Sequence, residues 1–258
     1  TWQRVTDKAG ILKPNSDVYK VSVSRQNPKV VYLAIYQDGR GRVLRSVDSG
    51  ESFTEIYFVN TKGYGVFDLY ASGYNADTAY ITTGQGGFLE TVNGGKTWRV
   101  KKWFGEPLTR LVVNPSSENE MYLVTSSYLI FKTTDAGETW TDVSTKIAGD
   151  LQATYQSAGA KDLFTLKTSP FSFRRDIKSL TVSPVSSGLL YVGFPNLIAR
   201  SSNGGGSWQN LQIPLPPDTS DLSTLALNPK NSENIFVGAG FQIYKSSDQG
   251  IHWKIISL

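Results

Sequence analysis

One stretch of the chain reads TVNGGKTW over residues 91–98. It recurs without gaps four more times, as SVDSGESF at 46–53, TTDAGETW at 133–140, SSNGGGSW at 201–208 and SSDQGIHW at 246–253. In these five segments, which we call boxes, the first residue is Ser or Thr, the third is Asp or Asn, the fifth is Gly, and the eighth is Trp or Phe. Such a repeat constrains the fold strongly, because each copy is expected to occupy an equivalent structural unit.

Each shared position of the box has a physical reason. The Asp or Asn can accept hydrogen bonds from downstream backbone N–H groups and so close an Asx-type turn. The Gly two residues later supplies the positive φ that tight turns often require. The flanking hydroxyls can bond the turn backbone, and the Trp or Phe begins the next strand and packs between sheets. The predicted structural turn residues are Asp48, Gly50, Asn93, Gly95, Asp135, Gly137, Asn203, Gly205, Asp248 and Gly250. The aromatic residues expected to be largely buried are Trp98, Trp140, Trp208 and Trp253.

The spacing of the boxes indicates the architecture. Their third residues lie at 48, 93, 135, 203 and 248, so successive boxes are 45, 42, 68 and 45 residues apart. Short apolar segments precede each box, such as 30–34 and 42–45 before the first, so each repeat reads as four strands with hairpin turns. Four strands at a period of about 40–45 residues are typical of β-propeller blades, which stack because one blade cannot bury both of its faces.

The repeated motif resembles the Asp box, also called the bacterial neuraminidase repeat. That motif occurs in sialidases, xyloglucanase-type glycosidases, sortilin-type receptors and photosystem II assembly-factor-like propellers. The resemblance covers nearly the whole chain, and it implies an all-β propeller of four-stranded antiparallel blades. The chain is most similar to the photosystem II assembly-factor-like and sortilin-like groups. The box is a turn-and-packing device in all these families, so it does not by itself imply an activity.

We expect one β-propeller domain over residues 1–258. The segment TWQRVT at 1–6 resembles the end of a further box, with Trp2 in the aromatic position. This predicts a strand of a blade whose earlier part is absent, hence an N-terminally incomplete domain with about six blade positions and five complete repeats.

The 68-residue spacing contains an insertion. It exceeds a typical spacing of 44 by 24 residues, too few for another blade, and the excess falls around 148–176. One interpretation is a decorative insertion or half-blade, and the other is a binding loop, since long insertions are often functional. Aromatic and basic side chains suit a binding surface. The candidate binding residues are Phe171, Phe173, Arg174, Arg175 and, in a second cluster, Trp103.

The inventory of reactive side chains is small. The 258 residues include no Cys and one His, which excludes thiol catalysis and Cys-based metal sites, and we expect no metal, no cofactor and no catalytic residue. Asn93 and Asn203 cannot act as acids or bases, which favours a structural role for the box. His252 takes a hydroxyl position of its box, so a turn or packing role is expected.

The glycosidase families provide the alternative. A sialidase-like activity would need three arginines and a Tyr nucleophile, and the Phe-Arg-Ile-Pro segment of that family is absent. A xyloglucanase-like activity would need two separated carboxylates, for which Asp68 and Asp221 have no distinguishing context.

These observations predict a non-catalytic protein-binding or assembly scaffold, with a glycan-binding or glycoside-hydrolase propeller as the alternative. The expected partner is another protein or a cell-surface glycan, and the domain is expected to be monomeric. A net charge of +4 without a clustered basic stripe argues against nucleic acid, and no apolar run is long enough for a membrane span. The expected location is extracellular or in the bacterial envelope, periplasmic or lipid-anchored, although the chain shows no signal.

Overall fold

The computed structural model describes residues 10–145, 147, 177–195, 197–215 and 222–256. Within these residues the chain forms five antiparallel sheets of four strands each. The first sheet contains β1 (Asp17–Val23), β2 (Val31–Gln37), β3 (Arg40–Ser46) and β4 (Thr54–Phe58). The second contains β5 (Val66–Ala71), β6 (Ala79–Thr83), β7 (Gly87–Thr91) and β8 (Arg99–Trp103). The third contains β9 (Leu108–Val113), β10 (Met121–Thr125), β11 (Ile130–Thr133) and β12 (Thr141–Asp142).

The last two sheets repeat the pattern. The fourth sheet contains β13 (Ser179–Val182), β14 (Leu190–Gly193), β15 (Ile198–Ser201) and β16 (Gln209–Leu211). The fifth contains β17 (Leu222–Asn228), β18 (Asn231–Ala239), β19 (Gln242–Ser246) and β20 (Lys254–Ile256). In every sheet the strands are neighbours in the order in which they follow along the chain. This meander of four strands is the blade of a β-propeller, so the predicted fold class is confirmed.

The short connections follow from turn chemistry. β2 and β3 are joined by Asp38 and Gly39, which both have positive φ, at 56° and 76°. Two consecutive left-handed residues of the type Asp-Gly make the hairpin turn that matches the twist of the flanking strands. The pairing of Gln37 with Arg40 closes this hairpin. The sequence therefore fixes this hairpin locally.

The chain separates into two compact units. One contains the residues up to Val113 together with Met121–Ser126 and Thr133–Thr139. A core cluster in this unit includes Tyr32 of β2 and Ile81 of β6, both with no exposed surface. The other unit contains the remaining residues, and its cluster includes Tyr191 of β14 and Val237 of β18, which are equally buried. β-branched and aromatic residues suit these pleated, buried surfaces.

The first strand, β1, differs from its counterparts in later sheets. Val21 pairs with Leu33 as Leu69 pairs with Ile81 one sheet later, so Val21 and Leu69 are equivalent positions. Val21 is 54% exposed, whereas Leu69 is 1% exposed. The apolar face of β1 is therefore open where the same face of β5 is covered.

Across the described residues, the structure has no helix with the length and apolar character that crossing a membrane requires.

Candidate functional site

The first box connects the third and fourth strands of its sheet. The Ser46 hydroxyl donates to Asp48 Oδ1 at 2.7 Å and accepts the Gly50 N–H at 2.9 Å. Asp48 then accepts the backbone N–H of Ser52 at 2.9 Å on Oδ1 and the Ser52 hydroxyl at 2.5 Å on Oδ2. Both carboxylate oxygens are thus used inside the turn.

The other four boxes also lie between the third and fourth strands of their sheets. In each of them the first residue donates to the Asp or Asn and accepts the glycine N–H, and the Asp or Asn accepts the N–H of the seventh residue. In the fourth box, Asn203 accepts the Ser207 N–H at 2.8 Å and its amide donates to the Ser207 hydroxyl at 2.9 Å. In the first box the hydroxyl donates to the Asp carboxylate, whereas here the Asn amide donates to the hydroxyl, and the turn is preserved. In the fifth box, His252 Nδ1 lies 2.6 Å from Asp248 Oδ2, so the imidazole takes the place of the hydroxyl.

The hydrogen bonds of the turn also hold its carboxylates ionised. Donation by the Ser52 and Ser46 hydroxyls and by the Ser52 N–H lowers the pKa of Asp48 to about 2. The Thr133 and Thr139 hydroxyls likewise hold the pKa of Asp135 well below its usual range. A general acid needs a pKa near the working pH, so this shift has the wrong direction for acid catalysis.

The fourth and fifth residues of each box both have a left-handed backbone conformation with positive φ. The sequence predicted this conformation only for the fifth residue, the glycine. In the third box φ is 54° at Ala136 and 88° at Gly137, and in the first it is 66° at Ser49 and 90° at Gly50. A left-handed residue with a β-carbon costs about 1–2 kcal/mol. Both boxes with Asn carry a second Gly at this position, which removes that cost.

The box glycine has a second role in packing. A Cβ on Gly95 would lie 2.5 Å from Ile56 Cδ1 of β4, and one on Gly205 would lie 3.0 Å from Val143 Cβ. The turn backbone therefore packs directly on side chains that follow or form the fourth strand of the preceding sheet. No local sequence pattern signals this contact, because the partner is about 40 residues away or more.

The box tryptophans are less uniformly buried than predicted. Trp208 is 6% exposed, but Trp98, Trp140 and Trp253 are half-buried. Trp98 Nε1 donates to the Ile56 carbonyl at 3.0 Å, and its ring meets Tyr57 edge-on at 5.5 Å. This ring therefore lies at the margin of the core, with one edge accessible.

Trp103, the candidate binding residue outside the boxes, is 55% exposed at the end of β8. It pairs with Gly87, and its ring packs on that glycine, where a Cβ would lie 2.9 Å from Trp103 Cζ3. Nearby Lys101 is buried and lies 2.8 Å from Glu138, whereas Lys102 is exposed. Lys102 and Trp103 are consecutive in β8, so the exposed ammonium and the exposed ring lie on opposite faces of this edge strand.

The other candidate binding residues lie outside the described residues, as does the whole insertion at 148–176. They are Phe171, Phe173, Arg174 and Arg175.

Asp68, weighed above as a glycosidase carboxylate, is buried at 5% exposure. It accepts the N–H of Leu69 at 2.8 Å and the N–H of Leu111 in β9 at 2.9 Å. Lys20 of β1 lies 2.9 Å from its Oδ1. The carboxylate thus links the first strands of three sheets, which is a structural role. Asp221 lies outside the described residues.

A groove lies at the box end of the first two sheets. It has a volume of about 450 Å³ and lies between the box turns at 46–53 and 91–98. The apolar part of its wall is formed by Val47 and Ile56. The charged residues that line it are Arg45, Glu55 and Lys96. Sequence reasoning missed this site, because its residues come from two repeats and belong to no single motif. Among the described residues, no cluster of three or more His, Asp or Glu could hold a metal ion.

Neither a protein-family model nor a curated protein sequence matches the chain. Solved structures do. A GH74 xyloglucanase from Xanthomonas campestris superposes with a TM-score of 0.67 at 15% identity, covering 93% of this chain and 38% of that one. YCF48 bound to D1 peptide gives 0.62 at 14% identity, covering 94% and 69%. The nidogen/laminin complex gives 0.60 at 13% identity, covering 95% and 80%. The chain spans only 31% to 38% of the GH74 chains that it matches. These likenesses agree with the predicted β-propeller fold and its similarity to YCF48-like propellers.

Proposed function

We propose that the chain is a non-catalytic binding module that engages another protein. The observation that carries this proposal is Trp103, a large ring left 55% exposed on β8. Trp is enriched among the residues that contribute most of the binding energy at protein interfaces, and an exposed Trp is unusual on a surface that binds no partner.

Edge protection is the competing explanation for the charges on β8. Lysines on an edge strand discourage pairing with other chains. Arg99 is an exposed charge on this strand that could serve this purpose without an exposed ring, and it lies 2.7 Å from Glu138. Edge protection gives no reason for Trp103, because an exposed apolar ring favours association.

Two of the similar propellers support the proposal by analogy. One is YCF48 bound to D1 peptide, and another is part of the nidogen/laminin complex. The proposed location, extracellular or in the bacterial envelope, rests on the resemblance of the repeats alone. We propose that the insertion at 148–176 contributes Phe171, Phe173, Arg174 and Arg175 to binding.

Affinity capture tests the proposal. Immobilised chain, its Trp103→Ala variant and a Phe241→Ala control are exposed to native extracts, and bound proteins are quantified by mass spectrometry. Phe241 is fully exposed in a hairpin of the fifth sheet. Phe241→Ala therefore also removes an exposed aromatic ring, but at a different place from Trp103. We expect a protein retained by the parent and the control and lost from Trp103→Ala. Equal capture by all three would contradict the proposal. A further variant that lacks the tip of the insertion should keep its melting temperature and lose capture if the insertion binds.

A further inference from the structure

The second residue of the box is exposed in all five copies, so the turn places no demand on its chemistry. It is Thr or Ser in the last three boxes, at Thr134, Ser202 and Ser247. In the first two boxes it is Val, with Val47 57% and Val92 61% exposed. The fold therefore does not explain why two adjacent boxes present an apolar side chain to solvent.

Val47 also lines the groove of about 450 Å³ between these two boxes. That volume lies within the usual range of ligand pockets, at about 300–1,000 Å³. Ile56 of β4 continues the apolar wall, and the box glycines Gly94 and Gly95 form part of the opposite side. Because a Cβ on Gly95 would lie 2.5 Å from Ile56 Cδ1, the box backbone approaches this wall closely.

The charges in the groove are mostly neutralised by neighbours. Arg45 forms an ion pair with Asp77 and lies over the Tyr32 ring at 5.6 Å, while Glu55 forms an ion pair with Arg42. Lys96 is exposed, and no ion pair joins it to any carboxylate in the described part of the chain. Among the described residues that line the groove, the charge without an ion-pair partner is thus the ammonium group of Lys96, beside an apolar wall.

We propose that this groove binds a short peptide segment of a partner protein, in which a carboxylate lies next to an apolar side chain. The carboxylate pairs with Lys96, and the apolar side chain packs on Val47 and Ile56. This inference rests on the proposed function and adds the partner's chemistry and a place of contact. Among the described residues that line the groove, no aromatic ring could stack on a sugar, and the one cation without an ion pair is too few for a nucleic-acid backbone.

Peptide titration of the isotope-labelled full chain tests the groove directly. The probes are acetylated tetrapeptides: Leu-Glu-Leu-Glu, its amide counterpart Leu-Gln-Leu-Gln, and the polar acidic Ser-Glu-Ser-Glu. We expect Leu-Glu-Leu-Glu to shift the amide signals of Gly94, Gly95 and Lys96, and the other two peptides to bind roughly threefold more weakly. No shift at these amides, or equal shifts with all three peptides, would overturn the proposal.

Variants supply the matched controls. Lys96→Glu, and separately Val47→Ser, should each weaken Leu-Glu-Leu-Glu roughly threefold. The serine is safe for folding, because boxes four and five carry Ser at the same position. Lys230→Glu and Val185→Ser change an exposed Lys and an exposed Val elsewhere and should leave binding unchanged. If the groove variants bind like the parent, the groove is wrong, while capture that depends on Trp103 would still support the proposed function. If no protein is captured at all, the proposed function fails whatever the peptides do.

Discussion

At the scale of single residues, the box turn depends on an acceptor at its third position and forms with either a charged or a neutral one. Asp48 receives the Ser52 N–H and hydroxyl, and Asn203 makes equivalent contacts with Ser207 through its amide. Asp and Asn behave differently at this position only at low pH, where the Asp carboxylate takes up a proton and the Asn amide does not.

Replacing Asp48 with Asn should therefore flatten the acid limb of the stability curve. The pKa of Asp48 is about 2 in the folded chain and about 3.9 in an unfolded one, so its ionised form stabilises the fold above pH 4. That stability is lost as the pH falls through about 2. Urea unfolding of both proteins at pH 7, 4 and 2 measures the difference, which should shrink from pH 4 to pH 2.

Asn93→Asp in the second box is the reciprocal control and should steepen the acid limb. If the free energies of unfolding of Asp48→Asn and of the parent differ by the same amount at all three pH values, the carboxylate is not held by the turn.

Local chemistry explains which parts of the turn the sequence revealed. Asp or Asn followed by Gly signals an Asx turn with a left-handed residue, and the structure has one at Gly50 and Gly205. Ser49, Ala136 and Gln249 are also left-handed, although none of these side chains favours that region. The hydrogen bonds around them impose the conformation, and single-residue preferences do not record it.

At the scale of strands, the open face of β1 sets up a comparison within one chain. Leu69→Ala in β5 should cost about 2–5 kcal/mol, because the side chain is 1% exposed and leaves a cavity. Val21→Thr at the equivalent position of β1 should cost less than about 0.5 kcal/mol, because it is 54% exposed. Chemical denaturation of the two variants measures both. A cost at Val21 that approaches the cost at Leu69 would mean that this face is covered in solution.

Strand positions were predictable and strand environments were not. The repeat placed the third and fourth strands on either side of every box, because turn residues and apolar runs are local signals. The apolar residues of β1 resemble those of β5 in type, so composition could not show that one face is open. The sequence also could not predict the hydrogen bond from Leu111 to Asp68 or the groove at Lys96, because each depends on residues from different repeats.

At the scale of the whole molecule, we expect no glycosidase activity. The box carboxylates Asp48, Asp135 and Asp248 are held by their turns, and Asp68 links strands. Release of sugar from xyloglucan and from a fluorogenic sialoside should equal the buffer blank. Robust turnover that one carboxylate substitution abolishes would contradict this expectation.

The two boxes with Asn also bear on how the protein ages. Asn followed by Gly is the dipeptide most prone to deamidation, a reaction in which the next backbone nitrogen attacks the side-chain amide. In the folded chain the Gly94 N–H donates to the Asp77 carbonyl at 2.8 Å, and the Gly204 N–H donates to the Gly188 carbonyl at 2.8 Å. Both attacking nitrogens are therefore held in place, and only unfolding releases them. Conversion of Asn93 and Asn203 to Asp or isoaspartate, read by peptide mass spectrometry, should record the time that each chain has spent unfolded; equal conversion in folded and denatured samples would refute this.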